Sequence, residues 1–152
     1  MASLEDGARE LEIVARRLKE TGNKDLKKEL LAGIRKEGKE TVKDIKRSAA
    51  DVLPHAGGLA ELVSRSSYGI RTRLTGNSVG VSIKGTSRSV KSLRALNAGR
   101  LRHPVYGNRN VWVEQSVEAG WFDKPIERDA DNIRQGIDRV LADIAQKIER
   151  GI

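Results

Sequence analysis

At 152 residues the chain is long enough to bury a core as one domain. It is 38% hydrophobic against 33% charged, with only 3% aromatic residues, so its core is built from Leu, Ile, Val and Ala and gains burial from partners. The lack of cysteine excludes disulfides and thiolate metal sites. The two histidines, His55 and His103, form no HExxH pair, and no apolar run is long enough to span a bilayer.

The first residues, MASLEDGARELE, do not read as a signal peptide, so a soluble chain made inside a cell is expected, with no cofactor, no metal and no membrane partner. The net charge of +8 is uneven. Residues 51–115 hold ten Lys/Arg against three Asp/Glu, residues 1–50 thirteen against ten, and residues 116–152 six against eight. The excess therefore sits in the middle of the chain, a pattern that favours a polyanion or an acidic protein surface as partner.

Along the chain, Ala8, Leu11, Val14, Ala15 and Leu18 recur at helical spacing and predict a helix over residues 4–20, ended by Gly22-Asn23. A second helix is expected over residues 24–52, with Leu26, Leu30, Ile34, Val42, Ile45, Ala49 and Val52 as its stripe. Gly33 and Gly38 weaken it and allow a kink. The run from Leu53-Pro54 to Gly57-Gly58 is a break, and residues 59–64 read as a brief strand or a short turn.

Beyond the break the period changes. Tyr68, Ile70, Thr72 and Leu74 alternate, Thr75-Gly76-Asn77 turns, and Val79, Val81 and Ile83 alternate again: a hairpin of strands 68–74 and 79–84. Residues 84–89 are polar and read as mobile. Ser89 is expected to cap a short helix through Leu96, with Gly99 as its stop. After a loop, a third strand is expected over residues 111–117. The turn Ala119-Gly120-Trp121-Phe122 then leads to Asp123 as N-cap, with Lys124 and Pro125 in the first turn. Ile126, Ala130, Ile133, Ile137, Val140, Leu141, Ile144 and Ile148 hold one face of a last helix, 125–149. The order is that of an α+β domain over residues 1–152: a small antiparallel sheet, hairpin plus further strand, flanked by a long N-terminal helical region and a C-terminal helix.

The sequence offers little for catalysis. No G-x-S-x-G elbow is present, and the middle segment has only Asp51, Glu61 and Glu114 to orient a base. His55-Ala56-Gly57-Gly58 echoes an oxyanion loop without its context. The glycines around residues 76–86 match no phosphate-loop spacing. No catalytic residue is assigned, and a non-enzyme is expected.

The stretch GRLRHPVYGNRNVW, residues 99–112, gathers His103, Tyr106, Trp112 and the arginines 100, 102 and 109. With Arg88, Lys91 and Arg94 these residues could grip phosphates and stack on bases, which makes sequence-nonspecific nucleic-acid binding the alternative function. They equally suit an interface, since arginine and aromatic residues anchor interfaces. Pro104 restrains His103 to extended geometry and Gly107-Asn108 allows a reversal, so the stretch is expected to form a shaped loop. Its candidate interface residues are Arg88, Lys91, Arg94, Arg100, Arg102, His103, Tyr106, Arg109 and Trp112.

The longer stretch GRLRHPVYGNRNVWVEQSVEAGWFDKPI resembles the signature of tail-completion, or neck, proteins of long-tailed double-stranded DNA phages, of the kind found in phages of actinobacteria. The matching positions are Gly99, Arg100, the run from His103 to Gly107, Gln115 in the following strand, and Gly120 to Phe122 ahead of a terminal helix. The upstream LKKELLAGIRKEGKETVKDIKRSAADVLPHAGGLAELV is similar too, so the resemblance spans most of the chain. It implies a tail-terminator-like fold and a structural role in a siphovirus virion, at the head–tail junction, after assembly in the host cytoplasm. The implied partners are further copies in a closed ring (six favoured, twelve the alternative), the adjacent connector or stopper ring, the tail-tube protein, and transiently the genomic DNA in the lumen. Pro104, Gly107, Gly120, Trp121 and Phe122 are expected to be structural turn residues.

Overall fold

The computed structural model describes residues 4–75, 80–105 and 108–151. Gly76 and Asn77 of the expected turn, Val79 of the expected second strand, the side chain of Ala8, and Tyr106 and Gly107 lie outside the described residues. The protein is α+β, with helices at both ends of the chain and strands between them. Its elements are α1 Leu4–Thr21, α2 Lys24–Glu37, α3 Lys39–Val52, a 3-10 turn Ala56–Gly58, α4 Leu59–Ser64, β1 Ser67–Arg73, β2 Gly80–Thr86, α5 Leu93–Asn97, β3 Arg100–Val105, β4 Asn108–Ser116 and α6 Asp123–Glu149. The strands form two separate two-stranded antiparallel sheets, β1-β2 and β3-β4, so the expected third strand, here β4, pairs with β3 and does not extend the first hairpin.

The chain divides into two compact units. The first holds residues 1–40, 69–84 and 130–152. Its core is the apolar stripes of three helices: Leu11, Val14 and Leu18 of α1, Leu26, Leu30 and Ile34 of α2, and Leu141 and Ile144 of α6. Ile70, Leu74 and Val81 pack against this core from the strand region. Gly22, at φ +64°, ends α1, and the Asn23 side chain caps α2 by accepting from the Asp25 and Leu26 N–H groups at 3.1 Å each. On the surface, Lys147 bridges Glu29 and Asp143.

The expected helix over residues 24–52 is interrupted at Gly38, whose ψ of 2° departs from the helix. A side chain there has no room: a Cβ would lie 1.7 Å from Cδ1 and 2.7 Å from Cγ1 of Ile70. The glycine is therefore a point of close approach between helix and strand.

The second unit holds residues 41–68 and 85–129. It buries Ile45, Ala49 and Leu53 with Ala60, Val63, Leu96 and Trp121. Thr41, not Val42, takes the inward position on α3, because its hydroxyl donates to Oδ2 of Asp129 at 2.9 Å and is thereby satisfied when buried. Residues 59–64 are helical rather than strand or turn. Gly57 and Gly58, both at positive φ, lead into α4, which buries Ala60 and Val63 three residues apart. Ser92, not Ser89, caps the short helix: its Oγ accepts from the Ala95 N–H at 3.1 Å. Residues 84–86 continue β2 rather than starting a loop.

Replacing Gly38 by alanine forces Ile70 to move, so Gly38→Ala should destabilise the protein by about 1–3 kcal/mol despite alanine's better helix propensity. Ile70→Val, which deletes the clashing Cδ1, should recover much of that loss. Urea denaturation of the two single variants and the double variant checks this, and simple additivity would contradict it.

Candidate interface: the β3–β4 ribbon

Of residues 99–112, the described residues 100–105 and 108–112 are strand and not the expected loop. Residues 100–105 are a strand, β3, antiparallel to the nine-residue β4. The alternation of Arg100, Leu101, Arg102 and His103 suits a two-faced ribbon, and Pro104 is tolerated because each strand of a two-stranded sheet is an edge. The register slips between Pro104 and Val105, where the ribbon approaches its tip.

Opposed residues share a face. One face carries Arg100, Arg102 and Pro104 opposite Ser116, Glu114 and Trp112. The other carries Leu101 and His103 opposite Gln115 and Val113, with Val111 following by alternation. Every residue of β4 is exposed, and Val111, Trp112 and Val113 keep 49, 39 and 43% of their surface in solvent. A lone hairpin of this kind is marginal in water, and an open apolar strand is a pairing hazard unless something covers it.

Of the expected interface residues, the structure brings Lys91, Arg102 and Trp112 together. Lys91 Nζ and Arg102 Cζ sit over the indole at 5.5 and 5.4 Å from its centre. Each such contact contributes about 0.5–1 kcal/mol at an exposed site and holds the ring in place. The indole N–H donates to the Arg109 carbonyl at 2.7 Å. Half-buried His103 places Nδ1 3.2 Å from the Pro104 carbonyl oxygen. Arg88 and Arg94 are exposed on the bend before α5 and on α5 itself.

The base of the ribbon depends on a residue that spacing does not single out, Asn97. Its carbonyl accepts from the Gly120 N–H at 2.8 Å, and its Oδ1 accepts from the Phe122 and Asp123 N–H groups at 3.0 and 3.2 Å. Its Nδ2 donates to Oδ2 of Asp123 at 2.7 Å. Asp123 is thus the first residue of α6 rather than its cap, and an asparagine from another helix supplies the capping oxygen. Gly99, at φ +88°, lets its carbonyl accept from Val117 at 2.9 Å and close the ribbon; a Cβ there would sit 3.0 Å from the Val117 oxygen.

Beside this junction, Trp121 is 1% exposed and meets Phe122 and Tyr68 edge-on, with ring centres 5.7 and 6.1 Å away. Among the described residues the Trp121 indole N–H has no hydrogen-bond partner. The Tyr68 hydroxyl donates to the Val63 carbonyl at 2.7 Å, and burial pushes its pKa up to about 12.

The HAGG run holds a different pair. His55 Nδ1 lies 2.9 Å from Oε1 of Glu61, both on the surface. The hydrogen bond to Glu61, and then its charge, raise the His55 pKa, while the same bond lowers that of Glu61. The Ser64 hydroxyl donates to the Glu61 carbonyl and not to the imidazole. Among the described residues no cluster of His, Asp or Glu could hold a metal ion. Comparison with family models, with curated proteins and with solved structures yields no match.

Asn97→Ala should cost about 1–3 kcal/mol in urea denaturation, through the lost cap and the stranded Asp123 partner. Asn97→Asp keeps the acceptor but places a second carboxylate beside Asp123, so its loss should be intermediate. For His55, the raised folded pKa means its stabilisation is complete below the ordinary value of 6.5 and fades as pH rises through the folded value. Glu61 behaves oppositely, its contribution fading as pH falls below 4.5. An NMR titration should place His55 above its ordinary value of 6.5, and Glu61→Gln should lower it.

Proposed function

We propose that this chain is a structural virion protein that forms a closed homo-oligomeric ring at the head–tail junction of a long-tailed double-stranded DNA phage, where it ends the tail tube or joins it to the connector. It acts by shape and contact rather than catalysis. Its partners are its own copies, the adjacent connector or stopper ring and the tail-tube protein, and it is assembled in the host cytoplasm before residing in the virion.

The observation that carries this reading is the β3–β4 ribbon: a strand exposed along its whole length, with Val111, Trp112 and Val113 in solvent and a base locked to α5 and α6. A ring subunit needs two unlike lateral surfaces that repeat around an axis until the circle closes. A rigidly based ribbon with one apolar face and one arginine-tryptophan face is suited to one of them. The resemblance of residues 99–126 to neck proteins supports placing that ring at the head–tail junction.

Mass photometry of the purified protein, at low and high salt and without DNA, should reveal a discrete closed oligomer. Val111→Asp with Val113→Asp should reduce it to folded protomers, at a cost of about 2 kcal/mol or more per contact if the ribbon is a central anchor. Reversing Arg100, Arg102 and Arg109 together should block head–tail joining while leaving the protomer folded, its melting temperature lowered only by loss of the Arg102 contacts to Trp112 and Glu114. A chain that changes mass only on adding duplex DNA, and loses the change in salt, would refute the ring and favour the nucleic-acid alternative.

A further inference from the structure

The ribbon has two edges, and the hydrogen-bond phase of its ladder settles what each presents. The Val117 N–H donates to the Gly99 carbonyl at 2.9 Å, in the same register that sets Arg100 opposite Ser116. Bonded and non-bonded pairs alternate along an antiparallel ladder. Leu101–Gln115 and His103–Val113 are therefore the bonded pairs, and the backbone groups of Trp112, Glu114 and Ser116 point away from β3. The outward groups of β3 belong to Arg100, Arg102 and Pro104. That edge is blunted, because Pro104 has no N–H and its carbonyl oxygen lies 3.2 Å from His103 Nδ1. The β4 edge holds no proline and no lysine to guard it, and its strand is exposed along its whole length.

We propose that this open edge pairs with the same edge of a second copy, β4 against β4 antiparallel, about a two-fold axis at Trp112. The pairing goes beyond the ring reading and does not rest on it, since it uses the main-chain edge and the lateral contact above uses the side-chain faces. Opposed residues share a face, and a two-fold axis normal to the sheet keeps every residue on its face, so the axis must pass through a residue. Trp112 is the middle of Asn108–Ser116, so this centre overlaps all nine residues. It sets Val111 against Val113 of the second copy, Asn110 against Glu114 and Arg109 against Gln115. Apolar then meets apolar, polar meets polar, and no charge faces a like charge. A centre on Val111 would set Asn110 against Trp112 and Arg109 against Val113; a centre on Val113 would set Trp112 against Glu114. Only the Trp112 centre matches every row. It also gives the main chain its partners: the two Trp112 residues exchange N–H and carbonyl, and the Glu114 N–H meets the Asn110 carbonyl. The Asn110 N–H is already held by Oδ1 of Asn108 at 3.0 Å. A strand of another protein would meet the same edge, but nothing in this chain sets its register, whereas a second β4 fits in one register alone.

The chain has no cysteine, so introduced cysteines report the register directly in the full-length protein. In this pairing residues 111 and 113 of the two copies form a non-bonded pair with Cα atoms about 4.5 Å apart, within reach of a disulfide. Oxidising a mixture of Val111→Cys and Val113→Cys chains should give a linked dimer at least about tenfold faster than either variant alone, whose cysteines are diagonal neighbours about 7–8 Å apart. The variant carrying both cysteines should stop at a dimer on a non-reducing gel, because an isologous contact closes on itself. Glu114→Pro removes an outward N–H and spares the β3 ladder, so it should slow the mixed cross-link at least about tenfold. Asn110→Glu, which sets a carboxylate against Glu114 of the other copy, should slow it too and serves if the proline disturbs the ribbon, while Asn110→Lys should not slow it. Equal rates for the mixture and the single variants overturn the proposal, as does no cross-link in any combination. A disulfide ladder running past the dimer would mean that ribbons meet head to tail, which overturns the pairing and leaves the ring standing.

Discussion

The β3–β4 ribbon and the start of α6 hang on one side chain. Asn97 ends α5, and through its amide and carbonyl it fixes three backbone N–H groups and the Asp123 carboxylate. Each bond is worth only about 1 kcal/mol net, but together they hold Gly120, Phe122 and Asp123 in one orientation relative to the foot of the ribbon at Gly99 and Val117. Without that anchor, a two-stranded hairpin with both faces open would have no fixed direction. With it, the foot of the ribbon is tied to the start of α6 within the second unit, beside the buried Trp121.

A ribbon held at its base with one strand, β4, exposed along its length is costly in isolation. Its apolar face is ready to pair, and its other face is stiffened by cations over Trp112. That combination is a pre-organised binding element: the entropy of ordering the strand and the indole is lost on folding, so less is lost on association. The small aromatic content of the chain supports the same view. Three of its aromatic rings, Tyr68, Trp121 and Phe122, cluster at the junction, and Trp112 stands outside on the ribbon.

Charge is distributed by a separate logic. On the ribbon, Arg102 lies beside the Trp112 indole and opposite Glu114, where it can shape specific contacts. On the first sheet, Arg71, Arg73 and Lys84 alternate with Ile70, Leu74 and Val81, which pack on the core of the first unit. The excess positive charge of the middle segment is thus divided between two surfaces of different chemistry. A net charge read along the chain cannot make that division, because strand alternation sends adjacent residues to opposite faces.

The sequence by itself determined the α+β class and the apolar stripes of the helices. Leu11, Val14 and Leu18, Leu26, Leu30 and Ile34, and Leu141 and Ile144 follow helical spacing, and burial of such a stripe is a local property of the pattern. It also marked Gly38 as a weak point of its helix, though not the Ile70 side chain that makes glycine necessary there. The tertiary structure alone decided the rest. Residues 100–105 become a strand only because β4 pairs with them, since a segment holding proline and alternating arginines has no strong preference of its own. The helical state of residues 59–64 is set by the two positive-φ glycines before them and by burial of Ala60 and Val63. Asn97 was invisible for a similar reason: its partners stand more than twenty residues away, and long-range hydrogen bonds leave no periodic trace in a sequence.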